Sequence, residues 1–214
     1  MSRRLAIVLL FAPAAAAADD TAAPGQDSAT TATAETGNPS APADMNDQAI
    51  SATLGVAFGG RTTPGGLAVA GHYFYQLSDH DWFDGSAQFV FGSGGAECFR
   101  DRMNDTICDH GLADGYAGGV GAGVRRFLPA LASGDFWPFA RAGLAAAVVR
   151  FPDDETTGIT LDAQLGAGMR VAVSEAIAIT AQFDFVLGLG RFSNGVGGEP
   201  QLGVMVTAGA EFRL

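Results

Sequence analysis

The chain has 214 residues and no lysine: its 12 basic residues are all arginines, set against 23 acids, for a net charge of −11. An acidic chain of this kind lacks the basic patches that nucleic-acid binding needs, so no nucleic-acid partner is expected. Histidines are few and scattered, at His72, His80 and His110, and there are only two cysteines, Cys98 and Cys108. Without histidines paired at ligand spacing these do not make a zinc site, and neither a metal nor a cofactor is expected. Beyond the first eighteen residues no long apolar run occurs. That excludes membrane-spanning helices and leaves a β-barrel as the one way for this chain to cross a bilayer. Catalytic signatures are missing too. There is no G-x-S-x-G, and Gly118-Gly119-Val120-Gly121-Ala122-Gly123 lacks the G-x-G-x-x-G spacing and the following helical pattern of a nucleotide site. No catalytic residue is assigned.

What is present begins with an export signal. Arg3 and Arg4 precede the apolar run 5–11, and Ala16-Ala17-Ala18 ahead of Asp19 fits a small-residue cleavage site, so residues 1–18 read as a signal peptide. Residues 19–47 are rich in Ala, Thr and Pro, with six acids and no base. Such a segment cannot bury a core and reads as disordered. Residues 48–214 form the remaining domain. In an exported chain, two cysteines close together in one polar loop are expected to form a local disulfide, Cys98 to Cys108.

From Gln48 onward the hydropathy alternates with a period of two, the mark of strands with unlike faces. Eight such stretches span 48–59, 66–77, 82–92, 116–127, 136–150, 159–173, 176–190 and 201–214. Each is about as long as the roughly 9–11 residues of a tilted membrane strand. The last is the clearest: Leu202, Val204, Val206, Ala208, Ala210, Phe212 and Leu214 share one face, against Gly203, Met205, Thr207, Gly209, Glu211 and Arg213 on the other. Across all eight, the apolar face is almost free of charge. The opposite face carries Asp84, Arg125, Arg141, Asp162, Arg170, Asp184, Glu211 and Arg213 among glycines. A soluble barrel would have to bury those unlike charges or expose a continuous apolar surface, both costly. Lipid outside and an ionic, side-chain-filled interior account for both faces. The fold expected is therefore all-β: an eight-stranded antiparallel up-and-down transmembrane β-barrel. Arg125, Arg141 and Arg170 are expected to share its lumen with Asp162, Asp184 and Glu211.

These features resemble the small eight-stranded outer-membrane barrels of Gram-negative bacteria, the OmpA-type and OmpX-type transmembrane domains. The resemblance covers residues 48–214. It implies location in the outer membrane, contact with outer-membrane lipid and lipopolysaccharide, and insertion by the barrel-assembly machinery. In that family the last strand is the assembly signal, and Val206, Ala208, Ala210 and Phe212 match it, with Leu214 where the family ends in phenylalanine. The role expected is non-enzymatic, in envelope integrity or in surface interaction through the outer loops, by a protein acting as a monomer. Two other readings stand beside it. One is an OmpW-like carrier for small apolar molecules, which requires an apolar pocket near the loops. The other is a lipid A-modifying enzyme, which requires a nucleophile, a histidine and an acid gathered on the lipid-facing rim; the phase of His72 puts it inside instead.

Overall fold

The computed structural model describes residues 47–60, 62–94, 97–100, 103–104, 106–109, 114–153, 155–193 and 198–214. The expected signal peptide and all but the last residue of the expected disordered segment lie outside the described residues.

Among the described residues ten strands form, in chain order: β1 (Gln48–Phe58), β2 (Gly66–Gln76), β3 (Asp81–Phe91), β4 (Glu97–Arg100), β5 (Thr106–Asp109), β6 (Tyr116–Phe127), β7 (Phe136–Phe151), β8 (Thr156–Ala172), β9 (Ile177–Phe192) and β10 (Glu199–Arg213). Eight of them close into one barrel in the order β1-β10-β9-β8-β7-β6-β3-β2, each pair antiparallel. The barrel strands coincide with the eight alternating stretches to within three residues at either end. The seam runs from Ala49 opposite Arg213 to Phe58 opposite Val204. It continues one residue further, where the Leu214 amide donates to the Gln48 carbonyl at 2.9 Å. Closure leaves no unpaired edge along the wall, which is the condition for strands to sit in hydrocarbon.

Alternation along each strand becomes inside and outside. Leu54, Val120, Leu144, Ile159, Leu161, Ile179 and Leu189 stand fully outward. Outward positions carry charge only at strand ends: Asp81 and Arg126 at the end with the short turns, Arg150 and Arg191 at the end with the long loops. A barrel wall this apolar is stable in lipid and a liability in water.

One feature of the fold is not visible as periodicity. Within the loop between β3 and β6, β4 and β5 pair as a two-stranded ribbon. Asn104 at its tip takes a left-handed conformation (φ 67°) and accepts a 2.9 Å hydrogen bond from Arg100 Nη1, a backbone role that asparagine fills readily. Four-residue strands offer only two alternations, too few to register as a pattern. The ribbon register sets Cys98 directly opposite Cys108. The long connection between β6 and β7 also has its own structure, a 3₁₀ turn at Pro129–Leu131 followed by a bridge from Ser133 to Phe136.

Candidate functional site

The candidate site is the lumen, and the strands build it in three levels. The middle level is ionic. Arg141 on β7 donates from Nε to Asp84 Oδ2 at 2.8 Å and from Nη1 to Asp184 Oδ1 at 3.0 Å. Asp84 Oδ1 pairs with His72 Nδ1 at 2.8 Å, and Gln182 Nε2 donates to Asp184 Oδ2 at 2.6 Å. Strands β2, β3, β7 and β9 are thus tied across the lumen by one guanidinium and two carboxylates. Space for this is made by glycine. A Cβ on Gly166 would stand 2.2 Å from Asp184 Oδ1, so the β8 position facing that carboxylate has no room for any side chain.

Toward the short turns, Glu211 on β10 takes two arginines. Arg125 Nη1 reaches Oε2 at 2.6 Å and Arg170 Nε reaches Oε1 at 2.7 Å. The Arg125 guanidinium is also sandwiched between aromatic faces, 3.6 Å from the Phe74 ring centre and 4.4 Å from that of Phe139, an arrangement in which ring and cation attract more strongly the drier the site. Below it, Trp82, Phe127, Trp137 and Phe139 meet edge to face around Phe127. The turn end of the lumen is therefore filled with stacked and wedged side chains, as an eight-stranded interior allows. Inward aromatics of this kind were not assigned from sequence; Phe74 lay in the inward phase of its strand beside His72, and that was the available signal.

Toward the loops the described lining is mainly neutral: Asp162 is buried in the wall, Asp114 is buried just before β6, and Glu199 is half-buried at the start of β10. Thr160 Oγ1 donates to Asp162 Oδ2 at 2.8 Å, and Gln164 Nε2 to Gln88 Oε1 at 3.1 Å. Two apolar clusters flank them, Ala57, Ala68 and Met205 on one side and Val149, Phe151 and Phe192 on the other.

Two of the expected lumenal charges depart from the ionic set. Asp162 has no arginine among the described residues; it lies a full level above the guanidinium groups. Arg213 sits at the last position of β10, half out of the turn end, where it pairs with Asp47; the strand ends there, so its side chain leaves the lumen. Val206, Ala208, Ala210 and Phe212 lie on the outward phase of β10, and Leu214 follows beyond the strand.

The register also gathers residue types that the sequence reading held apart. His72 lies opposite Ser51 on β1 and Ser86 on β3 while bonded to Asp84. Acid, histidine and serine together are the components of nucleophilic catalysis. Here Asp84 is fully buried and also held by Arg141, and His72, Ser51 and Ser86 are 5, 6 and 8% exposed. These groups are walled in by the strands, away from any rim where a substrate would lie.

No protein-family model matches the chain, and no curated protein matches it. Solved structures do. Neisserial surface protein A (NspA) superposes with a TM-score of 0.54 at 12% identity, covering 80% of this chain and 98% of that one. The outer membrane protease OmpT from Escherichia coli follows at 0.46 and 10% identity (82% and 100% covered), and Ail, the attachment invasion locus protein of Yersinia pestis, at 0.37 and 14% (78% and 97%). At 12% identity the likeness to NspA is one of fold alone. With its closed wall, outward apolar surface and filled interior, the chain has the fold of the small eight-stranded outer-membrane β-barrels.

Proposed function

We propose that the protein is a non-enzymatic barrel of a Gram-negative outer membrane, serving envelope integrity or surface interaction through its loops. In this reading the end carrying the ribbon faces outward, the short turns face the periplasm, the wall contacts lipid and lipopolysaccharide, and the monomer is inserted by the barrel-assembly machinery through its β10 signal. The observation that carries it is the lumen: Arg141 and Arg125 bridge it at two levels and aromatics close its turn end, so no water-filled channel runs through. In planar bilayers the protein is expected to give no large, stable conductance; porin-like steps would sink the reading. On gels, the membrane-extracted chain is expected to migrate differently boiled and unboiled.

The carrier reading asks for an apolar pocket near the loops. A pocket is found there, but its volume is about 60 Å³ and Asp162 lines it. That is room for about two water molecules and far below the roughly 300 Å³ at which ligand pockets begin. Among the described residues the enzyme reading finds its residue types in the closed lumen and again at the turn between β2 and β3, where Ser78 Oγ donates to Asp81 Oδ2 at 3.1 Å and His80 Nδ1 has no partner, so the serine is not paired with the histidine. Purified protein incubated with lipid A is expected to release no acyl chain.

We also infer a Cys98–Cys108 disulfide in the outer ribbon. Directly opposed residues of an antiparallel pair have Cα atoms about 4.5–5.5 Å apart, inside the range a disulfide spans. Non-reducing mass spectrometry is expected to show a mass two hydrogens below the dithiol form; two alkylatable thiols would end the claim.

A further inference from the structure

In the ionic levels of the lumen Arg125, Arg141 and Arg170 meet Asp84, Asp184 and Glu211, three against three. Asp162 is a fourth carboxylate. It is 6% exposed; one oxygen accepts from Thr160, and Oδ1 has no protein partner. Gln201, 3% exposed on the neighbouring wall, has an unpartnered Nε2. Both residues line the loop-end cavity of about 60 Å³. Gly188 lets the carboxylate lie against the β9 backbone, where a Cβ would stand 2.1 Å from Oδ1. Around this polar floor the cavity is lined by the apolar Ala57, Ala117 and Met205 and by the polar Thr63, Gln88 and Thr160.

A buried carboxylate on the floor disfavours a neutral apolar guest, which would leave the charge unpaired. A hard metal ion asks for about six oxygens, carboxylates among them; this lining has a single carboxylate, and Thr160 and Gln88 are already engaged with Asp162 and Gln164. A methylammonium-sized ion satisfies both parts and matches a cavity with room for about two waters: its N–H donors meet Asp162 Oδ1 and the Gln201 amide, which can present its oxygen by a flip, and its methyl group meets the apolar walls. We propose that this cavity binds a primary ammonium group on a short apolar stem, entering from the loop end, with Asp162 as its counterion. The site requires the closed barrel but goes beyond the membrane role proposed above.

The test uses the full chain folded in detergent and methylammonium chloride as probe, read by saturation-transfer NMR and by the unfolding temperature. Wild type is expected to show transfer from protein to probe and a rise in unfolding temperature. Asp162→Asn is expected to weaken binding at least ten-fold while keeping its heat-modifiable mobility. Ala57→Leu, which fills the cavity and leaves the carboxylate, is expected to abolish binding as well. The proposal is overturned if wild type shows no transfer, if Asp162→Asn binds as wild type does, or if methanol, sodium or tetramethylammonium produces the same response. A chain absent from the membrane fraction that still binds methylammonium would remove the membrane role and leave this site standing; a membrane barrel that ignores the ion would remove the site alone.

Discussion

Replacing Arg141 by alanine is expected to cost the folded barrel about 3–5 kcal/mol, the usual penalty for removing one partner of a buried ionic pair. The guanidinium is nearly inaccessible and holds Asp84 at 2.8 Å and Asp184 at 3.0 Å. Without it two carboxylates face each other across a narrow lumen with one histidine and one amide for company. The loss is expected in urea titrations of the vesicle-folded protein followed by gel mobility. Arg126→Ala is the control. That arginine is 65% exposed and stands 3.5 Å from Asp81, and pairs of this kind contribute about 0–1 kcal/mol. If the two variants lose equal stability, the lumenal network is not what ties the strands together. Changing Asp84 and Asp184 to asparagine in the Arg141→Ala background is expected to restore much of the loss, because the damage is the unpaired charge rather than the missing side chain.

Leu165→Arg is expected to cost about 2–4 kcal/mol in a bilayer, and Ile159→Arg only about 0–1, because the cost of a lipid-facing arginine falls with distance from the midplane. Both residues point outward on β8, Leu165 near the centre of the strand and Ile159 near its loop end. A water-exposed wall would predict the opposite: surface substitutions away from special features usually stay within about 0.5 kcal/mol at either depth. Equal, small effects in vesicles would mean that the outward face does not meet hydrocarbon. A depth-dependent pair of values would establish which face meets lipid without any assumption about function.

The period-two pattern settled the architecture because the strands of a barrel are independent readouts of the same rule. Each of the eight stretches has to place its apolar residues on one side, and an error of one residue in any of them would exchange lipid for lumen. Strand β7, with its run of alanines, carries the weakest hydropathy contrast of the eight. Its inward charge, Arg141, sets the phase, and Leu144, Ala146 and Val148 stand outward accordingly. The same rule placed most of the candidate site. Asp84, Arg125, Arg141, Arg170, Asp184 and Glu211 needed only their parity to be assigned to the interior.

Parity says nothing about height, and height depends on register and on the stagger of neighbouring strands. The pairing of Arg125 and Arg170 with the same Glu211, and of Arg141 with two aspartates, follows from which residues the closed sheet brings to one level. So does the isolation of Asp162, whose inward phase made it look like one more partner in the ionic set. The Phe74–Arg125–Phe139 sandwich joins three strands whose residues share no local sequence signal. The ribbon of β4 and β5 was too short to show a period. By itself, then, the sequence determined which face of every strand meets lipid and which residue types fill the inside, because alternation is a local property. Only the tertiary structure decided which charges meet, which one is left over and where a cavity remains, because those are set by the stagger at which eight strands close on one another.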